Sequence, residues 1–212
     1  MKINLPMHSL RLLWLVAVAL ALVSGCSLKK AYPAKSVFAL EAARGGPADR
    51  SSSAVVLRVR PFTAVAPFDE RVFHYRVGDL RFESDFYSEF LVSPRALISD
   101  QTRLWLQRAG LLRAVLEPAS RAEATHSLEG SVTALHADYR DTTAPKAVLE
   151  IRFLLLKETP ASPAILLDKT YRQEVLLENR QPATLAAGWS EVLKQILTTL
   201  EQDLSVKVPS AP

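Results

Sequence analysis

The feature that most restricts the fold of this chain is an unbroken apolar run near its start. Leu12–Val23 (LLWLVAVALALV) follows the two positive charges of Lys2 and Arg11. As a helix the run would measure roughly 18 Å, which is too short for a hydrocarbon core of about 30 Å. A short apolar core behind positive charge is typical of a secretory signal peptide. We therefore expect residues 1–25 to be removed and to take no part in the fold.

A processing motif follows this run directly. Val23-Ser24-Gly25-Cys26 resembles a bacterial lipobox, in which an aliphatic residue and two small residues precede the cysteine. Small side chains suit the peptidase beside the scissile bond, and the thiol receives a diacylglyceryl group. We therefore predict Cys26 as the acylated first residue of the mature protein. The alternatives for Cys26 are a buried apolar thiol or a catalytic cysteine, which would require a basic partner in a cleft.

The residues after Cys26 predict where the domain is held. Ser27–Lys35 is short and basic and reads as a tether, whose r.m.s. span as a coil would be only about 15–18 Å. Ser27 stands where an aspartate commonly retains lipoproteins in the inner membrane. The serine favours the outer membrane, with the domain on its periplasmic face.

The composition of the chain indicates an ordinary globular protein. Of 212 residues, 49% are hydrophobic and 23% are charged, which excludes wholesale disorder. A single cysteine excludes an intrachain disulfide framework and a cysteine-cluster zinc site. The 26 basic and 22 acidic residues are scattered along the chain, so the net charge of +4 does not indicate nucleic-acid binding.

Hydrophobic periodicity predicts the order strands, helix, strands, helix. The predicted strands are Ser36–Leu40, Ala54–Arg60, Arg71–Val77, Leu80–Leu91, Leu111–Leu116, Thr125–Tyr139, Ala147–Lys157 and Ile165–Leu177. The predicted helices run from Pro94 to Gly110 and over Pro182–Leu204. We predict one α+β domain over 36–204, with a mostly antiparallel or mixed sheet, two helices packed on one face, and a loose tail over 205–212.

Two of these segments carry a specific prediction about which face is buried. In the first helix the proposed stripe consists of Leu97, Gln101, Leu104, Trp105 and Arg108. In Leu80–Leu91 the phenylalanines alternate with acids, namely Phe82, Phe86 and Phe90 against Glu83, Asp85 and Glu89. Period two predicts a strand that buries its aromatic rings and exposes its acids. The four-residue spacing of the phenylalanines also fits a helix.

The sequence shows no constellation that indicates catalysis. The three acids of Leu80–Leu91, with His74 nearby, could be taken for an acid/base set or a metal site, but they alternate with aromatic residues as a solvated face would. His8, His126 and His136 lack ligand spacing. The chain has no Gly-x-Ser-x-Gly, no phosphate-binding glycine loop and no HExxH. We expect a protein that is not an enzyme, without catalytic residues, cofactor or metal; an anchored hydrolase is the alternative.

Several segments together resemble one family, the ABC-type transport auxiliary lipoproteins. They are Val55–Phe62, Arg71–Pro94, Thr102–Leu116, Leu128–Leu135 and Gly188-Trp189, besides the lipobox. Members accompany mammalian-cell-entry (MCE) domain lipid transporters, and the paraquat-inducible lipoprotein is a relative. Tyr75 and Arg76 loosely match a tyrosine–arginine pair found in many relatives. Phe82 or Phe86 stands where those relatives have a tryptophan.

The resemblance implies a non-catalytic outer-membrane lipoprotein. Its partners would be the membrane, through acyl chains on Cys26, and a periplasmic MCE-domain protein whose inner-membrane permease and ATPase supply the energy. The cargo would be a phospholipid or another lipid, and homo-oligomerisation is left open. The alternative function is an envelope-assembly scaffold lipoprotein, of the peptidoglycan-synthase activator or lipopolysaccharide-assembly type.

Overall fold

The computed structural model of the protein describes residues 34–48 and 53–208. Cys26, the expected signal peptide and most of the tether lie outside the described residues, as does the chain from residue 209. The strands are β1 (Ser36–Phe38), β2 (Val56–Val59), β3 (Thr63–Ala64), β4 (Val72–Arg76), β5 (Phe82–Phe90), β6 (Ala114–Leu116), β7 (His126–Asp138), β8 (Lys146–Lys157) and β9 (Ala164–Leu176). The helices are α1 (Pro94–Ala109) and α2 (Pro182–Lys207).

Strand β7 organises the sheet because it has partners on both edges. On one edge β2, β3 and β4 follow one another, and all three run parallel to β7. On the other edge β8 runs antiparallel to β7 over its whole length. β9 pairs antiparallel with β8 and is the outermost strand on that side of the described sheet.

The β4–β5 hairpin builds the opposite side of the sheet. β5 runs antiparallel to β4, and β1 pairs in parallel with the outer edge of β5 at residues 88–90. β6 pairs in parallel with β2. The sheet is therefore mixed, and its longest pairings are antiparallel. This architecture confirms the predicted α+β class.

Helix α2 packs against β8 and β9 through a long apolar stripe. Seven of its buried residues recur at the helical spacing from which the sequence predicts this helix: Leu185, Trp189, Val192, Leu193, Ile196, Leu200 and Leu204. Gly188 allows the close approach, because a Cβ atom there would lie 2.6 Å from Leu177 Cδ2 and 2.9 Å from Ala147 Cβ. The helix continues past the predicted end to Lys207, so the first residues of the expected loose tail are helical.

Helix α1 begins and ends where the sequence predicts, but a different stripe is buried. Pro94 is its first residue, and Gly110 follows the helix with a left-handed φ of 69°. Of the predicted stripe only Trp105 is buried. The buried positions are Pro94, Ile98, Ser99, Thr102, Trp105, Leu106 and Ala109. The prediction is wrong because apolar residues lie on both flanks of this short stripe, so the sequence offers two overlapping faces.

The predicted faces of β5 are also wrong. Phe90 is buried, but Phe86 is 71% exposed and Phe82 is 41% exposed. The reason is a large bulge, because His74 pairs with Ser84 whereas Val72 pairs with Glu89. Residues 85–88 of β5 therefore stand opposite Phe73 alone. A bulge shifts the parity of the strand, so a strict two-residue period no longer reports which side chains point inward.

Candidate interaction surfaces

Strand β9 presents a long free edge. It covers Ala164–Leu176 and, among the described residues, it pairs with β8 alone. A free strand edge carries unpaired backbone N–H and C=O groups, which are ready to pair with another strand. Exposed apolar side chains stand near its two ends, with Ile165 at 63% and Leu176 at 65% exposure. We call this strand edge with Ile165 and Leu176 the β9 edge.

The charged side chains of β9 are engaged within the domain. Ion pairs join Arg152 to Asp168, Lys169 to Asp203, Glu150 to Arg172 and Lys146 to Glu174. Three of these pairs link β9 to β8, and the pair at Lys169 links it to α2. Charged residues commonly protect an edge strand from unwanted pairing. Here each of these four is held by an internal partner, so the charges do not themselves cover the backbone edge.

A shallow groove adjoins the β9 edge. It has a volume of about 510 Å³ and lies between the end of β9 and the first turns of α2. Its lining residues are Val175, Leu176, Leu177, Glu178, Ala183, Thr184, Ala187, Gly188 and Glu191. On the α2 side, Ala183, Ala187 and Gly188 are small, so this part of the helix surface does not fill the groove. The groove therefore extends the β9 edge into a surface that could accept the side chains of an added strand.

A second exposed apolar surface lies at the opposite side of the sheet. It is formed by β1, by the bulge of β5 and by the residues that follow β5. We call this surface the β5 patch and define it by Val37, Phe86, Tyr87, Leu91 and Val92, which are all at least 37% exposed. The Phe86 and Tyr87 rings meet edge to face with centroids 5.1 Å apart. Contiguous exposed apolar side chains commonly mark a protein or membrane contact.

Asp85 holds the bulge that presents this patch. Its carboxylate accepts hydrogen bonds from the Tyr75 hydroxyl and from the backbone N–H groups of Tyr87 (2.7 Å) and Ser88 (3.2 Å). Burial alone would raise the pKa of Asp85, but these hydrogen bonds hold the pKa below its usual value. Burial and the bond to Asp85 raise the pKa of Tyr75. Tyr75 also stacks on Tyr139 at 5.2 Å, so the bulge is connected to β4 and to the residue that follows β7.

Replacing Asp85 with alanine is expected to lower the free energy of unfolding by about 1–3 kcal/mol, because three donors lose one acceptor. Phe86→Ala is expected to stay within about 0.5 kcal/mol, since the ring is exposed. This order reverses the one that the sequence predicted. Chemical denaturation at pH 7 measures both values. Glu83→Ala is the matched control, because Glu83 is exposed and, among the described residues, forms an ion pair with the exposed Arg81 alone. A larger loss of unfolding free energy for Phe86→Ala than for Asp85→Ala would contradict the conclusion that Asp85 holds the bulge and Phe86 is exposed.

The acids of Leu80–Leu91 do not converge on one site. Glu83 pairs with Arg81, Asp85 bonds Tyr75, and Glu89 pairs with Arg71 at 3.0 Å and with Lys35 at 3.7 Å. His74 lies on the neighbouring strand β4 and is buried, and its Nδ1 is 3.2 Å from the Ser84 hydroxyl. Within residues 34–48 and 53–208 no group of three or more acids, histidines or cysteines could hold a metal ion.

His136 lies buried on the sheet face away from the helices. Its side chain is 3% exposed, and neither ring nitrogen has a hydrogen-bond partner among the described residues. Phe68 stacks on the ring at 5.8 Å, and Phe82 meets it edge to face at 5.4 Å. Burial, followed by the nearby Arg172, lowers its pKa to about 4. The neutral ring therefore serves as a packing element between β7 and the β4–β5 hairpin.

Acidification is expected to destabilise the domain through His136. In the unfolded chain His136 binds a proton near pH 6.5, whereas in the folded chain it does so only near pH 4. The free energy of unfolding is therefore highest above pH 6.5 and falls by about 3 kcal/mol as the pH drops from 6.5 to 4. Denaturant unfolding at pH 7.5 and pH 4.5 measures the loss. The charged groups around the ring are Arg76, Asp138, Arg140 and Arg172.

His136→Leu is the control for this pH dependence. Leucine has a similar volume and no titratable group, so the variant is expected to lose less stability than the parent over the same pH interval. His74 and His126, whose pKa values are also lowered by burial, remain in both proteins. An identical pH dependence in parent and variant would show that His136 is not the group that titrates.

One further groove lies over the polar face of the sheet. It has a volume of about 500 Å³ and is lined by residues of the β2–β3 segment, β7 and β8, including Arg60, Glu129 and Arg152. Arg60 pairs with Glu158 at 3.4 Å and Arg152 pairs with Asp168 at 2.6 Å. Both guanidinium groups of this groove are therefore engaged in ion pairs.

Sequence reasoning located Cys26 and missed both surfaces. Cys26 lies outside the described residues, so its acylation stays a prediction. The signal for the β5 patch was present in the aromatic residues of Leu80–Leu91, but the bulge leaves Phe86 exposed where the alternation predicts it to be buried. The β9 edge carries no sequence signal, because pairing order, and hence which strand is outermost, is decided by long-range contacts. No helix in the described part of the chain is long and apolar enough to cross a bilayer.

The same fold occurs in solved structures. A crystal structure of a Xanthomonas campestris protein with the family model DUF330 matches with a TM-score of 0.72 at 17% identity, covering 81% of this chain and 95% of that chain. An uncharacterized protein matches with a TM-score of 0.62 at 12% identity, covering 81% and 99%. A hypothetical protein from Chlamydia trachomatis matches with a TM-score of 0.51 at 8% identity, covering 72% and 98%.

At these identities the similarity concerns the fold alone. No family model matches the sequence, and no curated protein is significantly similar to it.

Proposed function

We propose that this protein is a non-catalytic lipoprotein of the outer membrane that docks the MCE-domain component of an ABC-type lipid transport system. Acyl chains on Cys26 hold it to the periplasmic face of that membrane. The inner-membrane permease and ATPase of such a system supply the energy. The cargo is a phospholipid or another lipid, and this subunit binds the transport machinery without carrying out a reaction.

The observation that carries this proposal is the free β9 edge beside its shallow groove. Strand addition to an exposed sheet edge supplies affinity through main-chain hydrogen bonds, and neighbouring pockets select the side chains. The β9 edge offers both, because no strand of the described residues pairs with its outer side and the groove with Leu176 and Leu177 adjoins its end. A segment of the MCE-domain protein is the strand that we assign to this edge.

The order of strands supports this assignment. The chain arrives from Cys26 at β1, which pairs with β5, whereas β9 is the outermost strand on the other side of the sheet. Four inter-strand steps separate β5 from β9, which corresponds to roughly 19 Å. The strand nearest the anchor and the proposed docking edge therefore lie at opposite sides of the domain. A partner that arrives from the periplasm would meet the edge that is farther from the anchored strand.

Site-specific photo-crosslinking tests this function. A photoreactive residue at Ile165 or Leu176 in the full-length lipoprotein is expected to crosslink to the co-expressed MCE-domain protein. The matched control is Val206, which is 81% exposed on α2 and lies outside the β9 edge. Leu176→Asp is expected to weaken the complex by about tenfold or more, because it places a charge in an apolar contact.

Two outcomes would contradict the proposal. Crosslinking from Val206 but from neither β9 position would place the partner elsewhere. Recovery of a cell-wall synthase or a lipopolysaccharide-assembly protein in place of the MCE-domain protein would favour the envelope-scaffold function.

A further inference from the structure

We propose that the β5 patch is a second membrane contact, which rests on the phospholipid surface that holds the acyl chains of Cys26. This inference depends on the proposed lipid anchor and adds an orientation to it. The contact would turn the β1–β5 side of the sheet toward the bilayer and leave the β9 edge facing the periplasm.

The position where the chain joins the domain selects the membrane as the occupant. Lys35 is the last tether residue before β1, and its Nζ lies 5.1 Å from the centroid of the Phe86 ring. Even a fully extended chain from Cys26 to Lys35 spans no more than roughly 32 Å. The side of the domain that carries Phe86 is therefore held near the bilayer by covalent structure alone, whatever conformation the tether adopts.

The chemistry of the patch suits a membrane interface. Phe86 supplies an apolar ring, and Tyr87 combines an apolar ring with a hydroxyl, as aromatic residues at the headgroup level commonly do. The Lys35 ammonium lies over the Phe86 ring and 3.7 Å from Glu89, so the patch carries a positive charge beside its aromatic ring. Val37, Leu91 and Val92 extend the apolar area along the same side of the sheet.

Charge favours an anionic lipid surface over a neutral one. Residues 27–35 contain three lysines, Lys29, Lys30 and Lys35, and no acid. Basic residues next to a membrane anchor are attracted to anionic headgroups. Of the two acids of β5 nearest to Phe86, Glu89 is paired with Arg71, and the Asp85 carboxylate accepts hydrogen bonds from the Tyr75 hydroxyl and the backbone of Tyr87.

The bulge makes the contact rigid rather than adaptable. The backbone N–H groups of Tyr87 and Ser88 bond to Asp85, which fixes the loop that carries Phe86 and Tyr87. Phe90, the last residue of β5, is buried, and its ring centroid lies 4.7 Å from that of Phe73. Exposed aromatic rings on a fixed support lose little conformational entropy on contact. The same support would transmit the orientation of the membrane to the whole sheet.

The test places a fluorescent reporter at each side of the sheet. Full-length acylated protein with Phe86→Trp is reconstituted in vesicles of phosphatidylethanolamine and phosphatidylglycerol that contain a bromine-labelled phospholipid. Leu176→Trp, on the β9 edge, is the matched control, because that position is similarly exposed. The native Trp105 and Trp189 are buried in both variants and give the same background.

We expect the emission of the Phe86→Trp variant to shift to the blue and to lose most of its added intensity to the brominated lipid. The Leu176→Trp variant is expected to keep a water-exposed emission that the lipid does not quench. Equal melting temperatures of the two variants in detergent would confirm that both are folded.

Each other outcome overturns the inference in a recognisable way. If the protein floats with the vesicles but both reporters stay exposed to water, the anchor stands and the second contact is wrong. A blue shift without quenching would mean that a second copy of the chain covers the patch. If the protein does not float at all, the anchor itself fails and the inference fails with it.

Discussion

Replacing Trp189 with alanine is expected to lower the free energy of unfolding by about 3–5 kcal/mol. The side chain is fully buried, and its indole meets Phe73 at 4.8 Å and Phe90 at 5.2 Å. Its Nε1 donates to the backbone carbonyl of His136 at 3.3 Å. The substitution therefore opens a cavity between α2 and the β4–β5 hairpin and leaves a buried carbonyl without its donor.

Urea denaturation of the mature domain at pH 7 measures this loss. Val206→Ala is the matched control on the same helix and is expected to stay within about 0.5 kcal/mol, because Val206 is exposed. A loss below about 1 kcal/mol for Trp189→Ala would mean that the surrounding rings can collapse into the space. It would also show that the packing of α2 contributes little to the stability of the β4–β5 hairpin, which carries the β5 patch.

The parts of the fold that the sequence predicts well are long and strongly periodic. β7, β8 and β9 each exceed ten residues, and Leu149, Ile151, Phe153 and Leu155 are buried as their alternation indicates. In α2 seven apolar residues recur at helical spacing over several turns. Such repetition leaves one consistent face to bury, so each added residue strengthens the same interpretation.

The parts that the sequence predicts poorly depend on partners distant in the chain. β3 is too short for a periodic signal, yet it pairs with β7 at Ser131 and Val132. At the bulge of residues 85–88, Asp85 accepts a hydrogen bond from the Tyr75 hydroxyl on the next strand. No pattern within Leu80–Leu91 could reveal this partner. The exposure of Phe86 therefore accompanies a bulge between two strands, which local alternation does not report.

The candidate surfaces divide in the same way. The prediction for Cys26 rests on a short linear motif, which can be recognised without knowledge of the fold. The β9 edge and the β5 patch arise only when strand order is set, since each is defined by which strand is outermost. The two surfaces lie at opposite sides of one sheet, so they face in different directions. We expect function to depend on both the linear motif and this arrangement.

Replacing Cys26 with serine is expected to abolish acylation and to release the protein from membranes. Each buried CH₂ contributes about 0.8 kcal/mol, and stable anchoring requires more than one chain, so loss of the thiol removes the whole lipid anchor. Helices in residues 34–48 and 53–208 offer no replacement, because none is long and apolar enough to cross a bilayer. The β5 patch alone would give only a reversible contact. Metabolic labelling with a palmitate analogue, followed by membrane fractionation, measures both effects.

Ser27→Asp is the matched control for this prediction. It keeps Cys26 and should therefore keep the label, but it is expected to move the protein from the outer to the inner membrane fraction, since an aspartate at the second mature position commonly retains lipoproteins there. Label that persists on the Cys26→Ser variant would show that another residue is acylated. A labelled Ser27→Asp variant that stays in the outer membrane would leave the anchor intact and remove the argument for its sorting. The two substitutions thus separate attachment to a membrane from the choice of membrane.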